Sequence, residues 1–170
     1  MKSIFDIIVG RPILPNRFLS GDYNKFLFFD FFIRNDLLFF DSVQQLSGGA
    51  GGIKIFYSHD LRFVGEAQAS ERWSETIKSI DDGLAYNNEP FGLIVCEESG
   101  CWVMAQERLI DLGVFAFDCK SEVASNLFDC IDKDWFLSVG DFECAIANRD
   151  MELCGQFGEG FMRSIVENYG

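Results

Sequence analysis

Phe91-Gly92-Leu93-Ile94-Val95-Cys96-Glu97-Glu98-Ser99-Gly100-Cys101-Trp102-Val103-Met104-Ala105 sets two apolar runs on either side of a polar, glycine-ended tetrapeptide. Short apolar runs bounded by such a turn predict a hairpin of strands 91–96 and 101–105 closed by Glu97-Glu98-Ser99-Gly100. A further apolar strand, 113–117, follows a short helical turn expected near Gln106 to Leu112. Upstream, Ile53-Lys54-Ile55-Phe56-Tyr57 and Leu61 to Val64 flank Ser58-His59-Asp60 as a second hairpin. The aromatic runs 24–33 and 37–43 flank Asn35-Asp36, a dipeptide that tolerates tight-turn geometry, and predict a third. Seven of the nineteen phenylalanines lie between Phe26 and Phe40, so this segment is expected to supply much of the core.

The period changes at Ser70. Trp73, Ile77, Ile80 and Leu84 recur at helical spacing with Glu71, Arg72, Glu75 and Lys78 outside them, predicting a helix over about 70–82 with Ser70 at its start and Gly83 at its end. A second helix is expected over about 119–132. On a helical wheel Asp118, Glu122, Asp129 and Asp132 fall on one face, and Val123, Leu127, Phe128 and Ile131 on the other. Residues 135–139, 142–147 and 151–157 then suggest a three-stranded meander turned at Gly140-Asp141 and Asn148-Arg149-Asp150, followed by a short C-terminal helix over 161–167. Hairpins interleaved with two clear helices define an α+β fold with a mainly antiparallel sheet. A chain of 170 residues is expected to form a single domain, 1–170, with a flexible glycine-rich loop at 47–52. That loop lacks the Gly-Lys-Ser/Thr and following helix of a phosphate-binding loop.

Charge restricts function more than any motif does. Lysine and arginine total 14 against 27 aspartates and glutamates, a net −13. The excess is uneven: residues 1–85 hold 9 basic and 11 acidic side chains, whereas residues 86–170 hold 5 and 16. A field of that sign repels nucleic acid and anionic lipid and attracts basic proteins. No run of apolar residues is long enough to suggest a membrane span, and residues 1–14 lack the pattern of a signal peptide, so a cytoplasmic protein, monomeric or weakly dimeric, is expected. All six cysteines, at 96, 101, 119, 130, 144 and 154, lie in the acidic half, and their apolar neighbours predict reduced and mostly buried thiols. Without a Cys-x-x-Cys pair and with one histidine, neither metal nor other cofactor is expected. His59 sits in a tight turn, where adjacent side chains diverge and do not assemble a nucleophile, base and orienting group. Asp141 and Glu143 would share a strand face, but among 27 carboxylates such pairs arise by chance.

A protein that presents carboxylate is the reading that remains. The helix face of Asp118, Glu122, Asp129 and Asp132, with Asp134, Glu97 and Glu98 nearby in character, would oppose a basic surface, and Trp135 or Trp102 would supply the apolar anchor that affinity requires. A small, acidic, Phe-rich, His-poor chain with an acidic amphipathic helix ahead of Trp135-Phe136-Leu137-Ser138-Val139-Gly140-Asp141-Phe142-Glu143 resembles the immunity proteins of bacterial contact-dependent growth inhibition and polymorphic toxin systems. That resemblance implies a cytoplasmic inhibitor of a basic toxin domain, commonly a nuclease, and it transfers no individual residue. Two other classes are a small hydrolase or transferase with a carboxylate and thiol site, and an adaptor without a toxin partner. A deep pocket lined by close carboxylates would favour the enzyme; a shallow acidic surface would favour the inhibitor.

Overall fold

The computed structural model describes residues 2–31, 33, 37–48, 51–89, 92–107 and 112–170. In chain order the elements are α1 (Ile4–Ile7), β1 (Lys25–Phe29), α2 (Leu37–Leu46), β2 (Ile53–Tyr57), β3 (Phe63–Ala67), α3 (Trp73–Tyr86), β4 (Leu93–Glu97), β5 (Trp102–Glu107), β6 (Leu112–Phe117), α4 (Glu122–Cys130), a 3₁₀ turn (Lys133–Trp135), α5 (Val139–Asn148), α6 (Met151–Phe157) and α7 (Glu159–Tyr169). The fold is α+β, with one six-stranded sheet in the order β1-β6-β5-β4-β2-β3 and every neighbouring pair antiparallel.

Both faces of this sheet are covered, so its central strands are apolar on both sides rather than alternating. Leu27, Ile55, Val95, Met104 and Phe115 point to one face, where α2, α3 and α4 lay Phe40, Val43, Trp73, Ile77 and Leu127 against them. Phe28, Phe56, Ile94, Val103 and Val114 point to the other, packed by α1, residues 8–23, α5 and α7 through Phe18, Tyr23, Phe142, Met162 and Ile165. β1 closes one edge. Its Phe28 exchanges two 2.7 Å hydrogen bonds with Leu137, so the chain wraps round that edge on its way from one helical layer to the other.

The hairpins around 58–60 and 97–100 and the helical spacing at 73–84 all appear as expected. The helix α3 nevertheless starts at Trp73 without a side-chain cap from Ser70 and runs through Gly83 to Tyr86. The expected strand 37–43 is instead helix α2. There Phe39, Phe40 and Val43 lie at i, i+1 and i+4, which puts all three on one buried face while Leu38 stands 74% exposed. With that segment helical, β1 pairs with β6, Phe26 opposite Ala116 and Phe28 opposite Val114. The Asn35-Asp36 turn lies outside the described residues. Gln106 and Glu107 belong to β5 and Leu112 to β6, so the helical turn expected there is not helical at its two ends, and residues 108–111 are outside the described set.

The largest correction is the expected meander over 135–157, whose three strands are instead helical except at residues 136–138, where Leu137 makes its single bridge to Phe28. Ser138 and Asp141 form a capping box, in which each side chain satisfies the other residue's free N–H. The Ser138 hydroxyl accepts from the Asp141 N–H at 3.2 Å, and the Asp141 carboxylate accepts from the Ser138 N–H at 2.7 Å. That arrangement starts a helix at the Gly140-Asp141 dipeptide expected to be a turn. Arg149 adopts a left-handed φ of 52° and so ends α5. The Asp150 carboxylate then accepts from the Glu152 and Leu153 N–H groups and caps α6. Gly158 turns the chain from α6 into α7 at φ 82°, a conformation that glycine adopts without steric cost.

Candidate partner interface

The acidic helix is shorter than its sequence suggests. α4 spans Glu122–Cys130, so of the four carboxylates expected on one helical face only Glu122 and Asp129 belong to it, separated by two turns and so close to aligned. Asp118 lies in the preceding turn, its side chain only 15% exposed, accepting from the Lys120 N–H and lying 3.5 Å from the Lys2 ammonium. Asp132 follows the helix and accepts from the Asp134 N–H at 3.1 Å, capping the 3₁₀ turn. Beyond it Asp134 is exposed and Trp135 is 44% exposed. Asp129 on the last turn of α4 and Asp132, Asp134 and Trp135 at the 3₁₀ turn thus form one exposed stretch of chain, a corner of the molecule that Glu122 precedes by two turns along α4. Lys133, the base between the two aspartates, donates to the Phe128 carbonyl at 2.8 Å and lies 4.7 Å from that ring's centroid. Among the described residues it pairs with neither neighbour, and none of these four carboxylates takes part in an ion pair.

Helix α2 supplies the other half of this corner. A pocket of about 180 Å³ opens between Phe39, Ser42, Val43 and Leu46 on one side and Ile131, Asp132, Trp135 and Phe136 on the other. Its floor is rigid, because Phe39 and Val43 are buried and Phe31, Phe39 and Phe136 form a ring cluster with centroids 5.2 to 6.1 Å apart. Among the described residues its mouth is not covered: Leu46 is 39% exposed, and Leu38 lies one turn from Ser42 on the same outer side of α2.

Three expected interface residues are placed elsewhere or differently. Trp102 is fully buried beside Trp73, with ring centroids 6.0 Å apart, so it is part of the core and not an anchor. Glu97 is 5% exposed: its carboxylate accepts from the Ser99 N–H at 2.8 Å, the Ser99 hydroxyl and the Cys101 thiol. It also faces Gly51, whose φ of 100° favours glycine and where an added Cβ would come within 2.5 Å of Glu97 Oε1 and displace that carboxylate. Glu98 is exposed, but it stands in the β4–β5 turn, where its N–H donates to the Gly52 carbonyl at 2.9 Å, beside the glycine loop and not beside Asp132.

A second acidic surface lies on the other helical layer. α5 and α7 border an open groove of about 350 Å³ lined by Glu143, Ile146, Ala147, Arg163, Val166 and Glu167. Arg163 donates to Glu159 from the same helix, one turn back, and Glu143 and Glu167 have no ion pair among the described residues. Helical geometry also separates Asp141 from Glu143, since residues two apart point to different sides, and Asp141 is held in its capping box.

The thiols divide into three kinds. Cys96 and Cys101 are buried, Cys119 and Cys154 are half-buried, and Cys130 and Cys144 are exposed, so burial is the exception rather than the rule expected. Burial pushes the Cys96 thiol up to about 12 and raises Cys101 as well, which keeps both protonated and weakly nucleophilic at neutral pH. His59 is exposed in its turn with its ring 6.1 Å from Tyr57. No helix among the described residues is long and apolar enough to cross a membrane, and no group of three or more histidine, cysteine or carboxylate side chains among them could hold a metal ion.

The pocket wall contributed by α2 escapes a reading that takes 37–43 as a strand; the i, i+4 pair Phe39 and Val43, with Leu38 and Ser42 outside it, is the signal in the sequence that could find it. The Ser138-x-x-Asp141 capping box is the corresponding signal for the α5–α7 groove. Comparison with protein-family models, curated proteins and solved structures gives no match for this chain.

Proposed function

We propose that this protein is an immunity-type inhibitor that binds and neutralises a basic toxin domain in the cytoplasm, the toxin being of the nuclease class. The observation that carries the reading is the corner at 129–135: four exposed groups, Asp129, Asp132, Asp134 and Trp135, presented together with the only intervening base tied to a backbone carbonyl. Like charges held together on a surface disfavour one another, and among the described residues Asp132 alone of the three aspartates makes a capping hydrogen bond. They do accelerate encounter with a cationic partner and oppose anionic ones. A net charge of −13 repels nucleic acid, so such a chain takes the place of a nuclease's substrate rather than binding that substrate itself. The same corner offers the exposed aromatic ring that converts steering into affinity.

The test is co-expression with the C-terminal domain of the protein encoded immediately upstream. Restored growth, and a co-purified complex whose affinity falls with salt, support the reading. Undiminished growth arrest with no complex by calorimetry contradicts it.

A further inference from the structure

The α2 pocket has the size, lining and surroundings of a receptor for one side chain. Its volume is about 180 Å³. Sites that enclose whole small molecules or cofactors are larger, from roughly 300 Å³ upward. Phe39 and Val43 form a floor already fixed by the core, so binding need not order it. Leu46 and Trp135 stand at the mouth, 39% and 44% exposed. Covering them removes apolar surface from water. Asp132 lines the pocket, Asp129 and Asp134 are exposed within three residues of it along the chain, and Lys133 is held against Phe128. An apolar side chain that enters from a basic segment brings its cationic neighbours onto these carboxylates, whereas an acidic segment is repelled.

We propose that the pocket is the anchor site for a single leucine- or phenylalanine-sized side chain carried on a lysine- or arginine-rich segment of the partner protein. The inference rests on the reading of this chain as a receptor for a basic protein, and it assigns the affinity to one place: carboxylates hasten encounter, and the seated side chain slows departure. Only one of the three tryptophans reports on it, since Trp73 and Trp102 are fully buried.

The experiment titrates the intact protein with two probes at low salt: a short oligolysine peptide with one central leucine, and its twin with serine in that position. The leucine peptide should bind about tenfold more tightly and shift the Trp135 emission to the blue. Leu46→Glu and, independently, Ser42→Phe, each checked for native circular dichroism, should abolish that preference. Asp132→Asn, which retains the cap, should weaken both peptides and keep their ratio. Equal binding of the two peptides overturns the proposal while leaving the acidic-receptor reading intact. A preference that survives both pocket variants, or that is lost with Glu143→Gln and Glu167→Gln, overturns it in favour of another surface. Absence of binding by either peptide overturns both. A concentration-dependent dimer abolished by Leu46→Glu overturns it by assigning the pocket to a second copy. Failed growth rescue with the leucine preference retained would remove the toxin reading and keep the anchor site.

Discussion

The 129–136 corner and the α5–α7 groove lie on opposite helical layers, and both expose carboxylates that no base among the described residues holds. They differ in what stands beside the charge. At the corner an exposed tryptophan and leucine frame a small apolar pocket; in the groove Ile146, Ala147 and Val166 line a wider, open trough with Arg163 in it. Exposed charge changes how often partners meet and how strongly salt matters, whereas a desolvated apolar contact determines how long they stay. The corner can do both, and the groove contributes mainly to the field.

The largest effect expected from that difference is on the anchor. Trp135→Ala should weaken the toxin complex by about 2 kcal/mol, roughly thirtyfold, chiefly through faster dissociation. Surface plasmon resonance resolves the rate, and an unchanged dissociation rate would place the corner and the groove on the same footing. Charge reversal should act on the other rate constant. Asp129→Lys with Asp134→Lys, which leaves the Asp132 cap in place, should slow association about tenfold at low salt and much less at high salt. Glu143→Lys with Glu167→Lys should slow it by only about two- to threefold, with dissociation unchanged. Equal slowing by the two pairs would mean that the whole acidic half steers diffusely.

How much of this is legible in the sequence depends on how local the determining interactions are. The 97–100 hairpin is legible because its two strands and its turn are contiguous, and α3 because Trp73, Ile77 and Leu84 repeat at one period. The pairing of β1 with β6 is not, since nothing near Phe28 says that Val114, distant in the chain, lies opposite it. α2 and α5 read as strands because adjacent aromatics and short apolar runs suit strand and helix alike; capping by Ser138 and burial of Phe39 with Val43 decide for helix. Asp129, Asp132, Asp134 and Trp135 are legible as one candidate surface because they are sequence neighbours. The pocket is not, because its second wall comes from α2. Trp102 fails as an anchor for a related reason: exposure is set by the sheet face a strand residue points to, and that face is covered by α3 and α4.

A smaller effect concerns how α2 is held in place. Hydrogen bonds from Ser74, at 2.6 Å, and Arg72, at 2.8 Å, hold the Asp41 carboxyl below its ordinary value of 3.8. A carboxyl depressed in the folded state stabilises above its unfolded value, and that contribution is lost as pH falls through the folded one. Asp41→Asn should therefore reduce stability near neutrality, and the difference from the native protein should shrink in urea titrations as pH falls below the ordinary carboxyl value of 3.8. A difference independent of pH would show that α2 owes nothing to this carboxylate's charge.

Each surface carries its own exposed thiol, Cys130 at the end of α4 and Cys144 beside Glu143 in α5, while Cys96 and Cys101 are buried. Labelling with an uncharged maleimide, read by mass spectrometry with and without saturating toxin domain, compares the two surfaces in one unmodified protein. The account predicts that the partner slows labelling of Cys130 strongly and leaves Cys144 at its free rate. Protection of Cys144 with Cys130 still reactive, or protection of neither, would contradict it.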